Sequence, residues 1–126
     1  MKTVLLCGGK GTRIRGVADD IPKPMIQLNG CPILWHIMKY YSVYNYNDFI
    51  LCLGYKGQVI KDFFLNYESY TIDMTIRLGE KKSIEYHNHH DENDWGITLA
   101  ETGHDALTGA RVKRVQKYLK DDDNFM

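Results

Sequence analysis

The sequence has no long apolar run, no net charge and little cysteine, and each shortage removes a class of protein. Its 126 residues contain no stretch approaching the roughly 20 apolar residues that span a bilayer. The N-terminus, Met1-Lys2-Thr3-Val4-Leu5-Leu6-Cys7-Gly8-Gly9, breaks at glycine after about five apolar residues, too few for a signal-peptide core. Lys+Arg and Asp+Glu both number 16, so the basic excess of a general nucleic-acid binder is missing. Cys7, Cys31 and Cys52 cannot pair completely and form no CxxC, which fits a reduced, cytoplasmic protein. At 44% hydrophobic residues wholesale disorder is excluded, and the length allows one domain, residues 1–126.

What is present is an alternation of short apolar runs and helical stripes. Residues 4–7 are apolar and run into glycine, the pattern of a buried strand entering a loop. Residues 8–30 carry Gly8, Gly9, Gly11, Gly16, Pro22 and Pro24 without periodicity, so they read as a long loop with a short extended piece at 25–28. A loop of that length in a compact domain is usually functional. Pro32 suits the first turn of a helix carrying Ile33, Leu34, Ile37, Met38, Tyr41 and Tyr44, closed by Asn45-Tyr46-Asn47-Asp48. Residues 49–53 make a second strand ending at Gly54, and Gly57 opens a helix with the stripe Val59, Ile60, Phe63, Phe64 and Tyr67. Ile72, Met74, Ile76 and Leu78 alternate with polar residues as a half-exposed strand. Residues 84–87 and 97–102 read as further strands, and 108–119 as a third helix with Val112, Val115 and Leu119 inward. This order predicts an α/β fold, three-layer and doubly wound around a mainly parallel sheet.

The first strand enters Gly8-Gly9-Lys10-Gly11-Thr12-Arg13, at the edge of a parallel sheet where such folds bind ligands. Without Cβ atoms the backbone can approach a phosphate or base closely, and successive N–H groups can converge on an anion. Thr12 adds a hydroxyl and Arg13 a planar fork suited to phosphate oxygens. The loop is not a Walker A motif, because no Gly-Lys-Ser/Thr occurs, and position 14 is Ile where a dinucleotide fingerprint needs glycine. In Pro22-Lys23-Pro24 the prolines stiffen the backbone that carries the amine, giving a positioned cation.

Gly-Gly-x-Gly-Thr-Arg followed by Pro-Lys-Pro resembles the signature of the sugar nucleotidyltransferases. The blocks Lys23-Pro24-Met25, Pro32-Ile33-Leu34-Trp35-His36-Ile37-Met38, Gly54-Tyr55-Lys56-Gly57, Thr98-Leu99, Thr102-Gly103 and Thr108-Gly109-Ala110-Arg111-Val112-Lys113-Arg114 point to its cytidylyl branch. The resemblance implies a Rossmann-like fold, with CTP and a sugar 1-phosphate, glucose 1-phosphate, as substrates. An oxygen of the sugar phosphate would attack the α-phosphorus in line, and pyrophosphate would leave. By the same resemblance, backbone groups of Leu6, Cys7, Gly8 and Gly9 contact base and ribose, and Lys10, Gly11, Thr12 and Arg13 line the triphosphate. Arg13 and Lys23 are the catalytic cations, Lys23 near the α-phosphate and sugar phosphate, and Arg111 is a further cation from the third helix. A base-contacting position falls at Ala106, where the family often has a hydroxyl, and Ala110 replaces a second glycine. Mg²⁺ is implied, held by carboxylates on later strands, so its ligands are expected beyond residue 126. The chain stops at Asp121-Asp122-Asp123-Asn124-Phe125-Met126, where an apolar segment begins, and is expected to be the nucleotide-binding N-terminal portion of a longer enzyme, truncated after the third helix. A thymidylyl- or uridylyltransferase and a non-catalytic nucleotide-binding chain are the alternatives.

Other constellations favour plainer roles. Tyr86-His87-Asn88-His89-His90-Asp91-Glu92-Asn93-Asp94 lacks structural-zinc spacing and reads as an exposed polar connection. His36 reads as a packed helix histidine, and Cys7 as a small buried residue at a strand end. Tyr41, Tyr44 and Tyr46 would serve a core or a subunit neighbour equally, which leaves a homo-oligomer open; neither a membrane nor nucleic acid is expected as a partner.

Overall fold

The computed structural model describes residues 2–8, 21–87, 90–103 and 108–119. The strands β1 (Lys2–Leu6), β4 (Asp48–Leu53) and β7 (Gly96–Glu101) form a parallel sheet in the order β1-β4-β7. Val4 lies beside Ile50 and Ile50 beside Thr98, so the register is continuous across the sheet. The central strand is buried at every position after Asp48, because helices cover both of its faces.

One face packs on α1 (Ile33–Val43), α2 (Gly57–Leu65) and α3 (Tyr67–Thr71). Phe49, Leu51 and Leu53 meet Leu34, Met38, Ile60, Phe63 and Tyr67 there. The alternate residues of β4, Ile50 and Cys52, face the opposite side and meet Ala100, Val115 and Leu119 below α4 (Thr108–Arg114). These are the expected three layers around a parallel sheet. The period of two along β4 places its side chains in two separate cores.

Several local details differ from expectation. The extended piece at 25–28 is a 3₁₀ turn, Lys23–Met25, followed by β2 (Gln27–Leu28), which pairs antiparallel with β3 (Cys31–Pro32). The connecting Asn29 and Gly30 have φ values of 52° and 84°, the left-handed pair of a tight hairpin turn. Pro32 therefore ends the hairpin and precedes α1 instead of standing inside its first turn. The second helix does not run through Tyr67 as one piece. Asn66 breaks it, its side-chain amide donating to Asp62 O at 3.0 Å, and α3 begins one residue later.

The strands β5 (Met74–Arg77) and β6 (Ser83–Tyr86) pair antiparallel with each other, as a two-stranded ribbon separate from the parallel sheet. The third predicted helix also stops early, at Arg114. A 3₁₀ turn, Gln116–Tyr118, follows it and buries Leu119 while turning the Tyr118 carbonyl to accept from Lys2 Nζ at 2.7 Å.

Candidate functional site

The carboxyl ends of the three parallel strands lie side by side, each followed by a glycine: Gly8 after β1, Gly54 after β4 and Gly103 after β7. Main-chain bonds bind these ends together. Cys7 N–H donates to Cys52 O at 2.9 Å, Tyr55 N–H to Gly8 O at 3.2 Å, and Thr102 N–H to Leu53 O at 2.9 Å. The Thr102 hydroxyl donates to the same Leu53 carbonyl at 2.8 Å.

Below this edge α4 delivers two arginines. Arg111 is buried, and its guanidinium donates to Thr102 Oγ1 at 3.0 Å and to Gly8 O at 3.1 Å. Arg114 donates to the Thr102 carbonyl. The close approach explains the glycines. A Cβ on Gly54 would stand 2.6 Å from Gly8 O, 2.7 Å from Gly103 O and 2.8 Å from Arg111 Nη1. Gly103 has φ +93°, and a Cβ on it would meet Arg114 Nη1 at 2.8 Å.

Lys23 reaches the same region from the other side. The turn that carries it is closed by Met25 N–H donating to Pro22 O at 2.9 Å, while Pro22 itself is buried, so the lysine stem starts from a fixed base. Lys23 lines a cavity of about 350 Å³ together with Leu5, Leu6, Cys7, Pro24, Ile33, Leu34 and Ile37, and is the only charged residue in that lining. That volume is within the range of small-molecule sites. Burial pushes the Cys7 thiol up to about 12, with the neighbouring Cys52 adding to the effect, so Cys7 stays a neutral thiol at physiological pH and is no nucleophile. Burial also raises the Cys52 thiol, against the pull of the Arg111 charge.

Of the residues singled out from sequence, Leu6, Cys7 and Lys23 thus line one cavity, and Gly8 and Arg111 touch each other beside it. Gly9, Lys10, Gly11, Thr12, Arg13 and Ala106 lie outside the described residues. Gly54, Thr102 and Arg114 carry structural weight that was not assigned from sequence; the signal for them was a glycine shortly after each predicted strand. His36 is a half-buried residue of α1, its Nε2 donating to Leu28 O at 2.7 Å. Most described residues of the polar stretch after β6 are exposed, as expected, with Glu92 as an exception. Glu92 turns inward to accept from Tyr67 Oη, and from Lys39 Nζ at 3.1 Å.

Glycine-walled loops and placed cations at the carboxyl edge of a parallel sheet are the arrangement of a nucleotide-binding α/β protein. The nucleotidyl transferase profile matches residues 2–105, and the chain belongs to that family. Glucose-1-phosphate cytidylyltransferases of Salmonella typhimurium and Salmonella typhi are each 48% identical to it over 126 residues, covering 100% of the chain and 48% of their own length. The chain therefore spans about half the length of these curated relatives. Among solved structures, HddC from Yersinia pseudotuberculosis complexed with GMP-PN superposes with a TM-score of 0.61 at 26% identity, over 93% of this chain and 42% of that one. No helix among the described residues is long and apolar enough to cross a membrane.

Proposed function

We propose that the chain carries the nucleotide site for transfer of a cytidylyl group from CTP to glucose 1-phosphate, giving CDP-glucose and pyrophosphate. The observation that carries this reading is the cavity in which Lys23 faces Leu6 and Cys7 beside Gly8, in a chain 48% identical to proteins named for that reaction. An oxygen of the sugar phosphate attacks the α-phosphorus, and the bond to the departing pyrophosphate breaks in line. Such a step is driven by positioning and charge neutralisation, so cations on stiff backbone are what the chain has to supply.

Lys23 neutralises charge where the α-phosphate and sugar phosphate meet, and its proline-braced turn limits the reorganisation this needs. The main chain of Leu6, Cys7, Gly8 and Gly9 contacts base and ribose, Lys10 to Thr12 line the triphosphate, and Arg13 is the second catalytic cation. By the family resemblance a base-contacting position falls at Ala106, and Arg111 adds fixed positive charge from beneath Gly8. The family resemblance implies Mg²⁺, yet among the described residues no group of three or more His, Cys, Asp or Glu fits a metal ion, so no step is assigned to it. Three free thiols support a reducing, cytoplasmic setting.

The test joins the chain to the remaining half of its Salmonella typhimurium relative and measures pyrophosphate release with Mg²⁺, glucose 1-phosphate and each nucleoside triphosphate. CTP-dependent release is expected, and a preference for UTP, dTTP or GTP rejects the cytidylyl assignment. Lys23→Ala should lower kcat/KM by on the order of 10²-fold or more; an unchanged value removes Lys23 from the mechanism.

A further inference from the structure

The Arg111 guanidinium is a planar fork that reaches two loops at once. One arm donates to Gly8 O, two residues past β1, and the other to Thr102 Oγ1, just past β7. Both acceptors are themselves tied to the strand between them. Gly8 O also accepts from Tyr55 N–H at 3.2 Å, and Thr102 Oγ1 donates to Leu53 O at 2.8 Å. A guanidinium is buried at considerable desolvation cost, which only good geometry and satisfied donors offset. Arg111 is 4% exposed, far more enclosed than a cation whose sole task is to meet a phosphate.

The backbone around it has closed to contact. A Cβ on Gly8 would stand 2.6 Å from Arg111 Cζ and 2.9 Å from Gly54 N, so any side chain there would displace the guanidinium. Gly8 and Gly54, just past β1 and β4, are thus matched to the arginine.

From this geometry we infer that Arg111 is a positioning residue: it locks the loops leaving β1, β4 and β7 into one frame, and acts on the nucleotide through Gly8. The functional part of the inference rests on the cytidylyl reading; the mechanical part does not. Lysine cannot replace it, because a single ammonium lacks the rigid fork that meets two acceptors in fixed directions. Thr102, fully buried, becomes a second positioning residue through its bond to Arg111.

The test compares Arg111→Lys, Thr102→Val and the double variant of the chain. Amide hydrogen exchange is measured without nucleotide, and CTP affinity by calorimetry. Arg111→Lys is expected to speed exchange at the Tyr55 amide by tenfold or more while the amides of α1 keep their protection. CTP affinity should fall about tenfold in Arg111→Lys and severalfold in Thr102→Val, with the double variant no weaker than Arg111→Lys, as coupled residues require. If Arg111→Lys does not fold, Thr102→Val decides by itself, since it keeps the side-chain shape and removes the hydroxyl that accepts from Arg111 and donates to Leu53 O. Unchanged Tyr55 exchange in Thr102→Val then overturns the inference. It is also overturned if CTP affinity falls in Arg111→Lys while Tyr55 exchange stays unchanged, because that marks a direct phosphate contact. If the parent chain binds no CTP, affinity is measured after joining it to the remaining half of its Salmonella typhimurium relative; no binding there removes the cytidylyl reading and leaves the exchange result to judge the frame.

Discussion

Two glycines near the arginines are opposites in energetic terms. At Gly54 a Cβ would press on the carbonyl oxygens of Gly8 and Gly103 at 2.6 and 2.7 Å, and these are backbone atoms fixed by their own strands. Relief would have to come from moving one loop against another, which would also disturb the Arg111 bridge. Gly54→Ala is therefore expected to destabilise by about 2–3 kcal/mol, the range of overpacking in a tight core. Gly109, inside α4, has nothing within 4 Å of its missing Cβ among the described residues. Gly109→Ala should stabilise by up to about 1 kcal/mol through helix propensity alone. Urea unfolding of both variants checks the pair; equal effects would show that the close approaches do not constrain this edge. The sequence marked both glycines as members of motif blocks, but only the distances separate a glycine required by contact from one that is not.

At the scale of elements, a polar network joins α1, α3 and the segment before β7. Trp35 Nε1 donates to Tyr67 Oη at 2.6 Å, Tyr67 Oη donates to Glu92 Oε1, and Lys39 Nζ donates to Glu92 Oε2 at 3.1 Å. Burial by itself would raise the Glu92 carboxyl, but the bonds from Tyr67 and Lys39 outweigh it and hold the group below the usual Glu range. Burial, then the bond to Glu92, raises the Tyr67 hydroxyl, so that phenol stays protonated and donating. Tyr67→Phe leaves the Trp35 N–H and one carboxylate oxygen without their partner and should cost about 1–3 kcal/mol. A lowered folded-state pKa means that the ionised Glu92 contributes stability above its unfolded value and loses it as pH falls. The stability gap between the parent chain and Glu92→Gln should therefore be constant above about pH 5 and close as pH drops below about 4.3. A gap that widens on acidification would contradict the network. None of it was legible beforehand, because its members are scattered from position 35 to 92 and no local period brings them together. The break at Asn66 was equally hidden: the apolar stripe continues through it, while the Asn66 main-chain N–H and side-chain amide both donate to Asp62 O where the helix ends.

For the whole molecule, the parallel sheet was readable because β4 is a continuous apolar run and each helix repeats its stripe, so local pattern and global burial agree. The ribbon β5–β6 was readable as strands but not as a separate pair. Alternation marks a strand without naming its neighbour, and Ile76, Ile84 and Tyr86 are near half exposed instead of buried in the main sheet. The site divides the same way. Lys23 was singled out from its prolines together with the glycine loop upstream, whereas the position of Arg111, beneath Gly8 and bonded to it, depends on where α4 crosses the sheet. The zero net charge has a consequence at this scale as well. A neutral chain exerts little overall attraction on a triphosphate, so under the proposed function affinity would come from a few local cations and from the shape around the base. Ligand that binds only the folded chain raises its stability in proportion to the logarithm of saturation, about 2.7 kcal/mol at 100 times Kd. CTP should accordingly raise the melting temperature by several degrees, and more than UTP, dTTP or GTP at equal concentration. Lys23→Ala should shrink that shift, while Glu85→Gln, on the ribbon, should leave it intact. If all four triphosphates shift the melting temperature equally and Lys23→Ala changes none of them, the cavity beside β1 is not where the triphosphate binds.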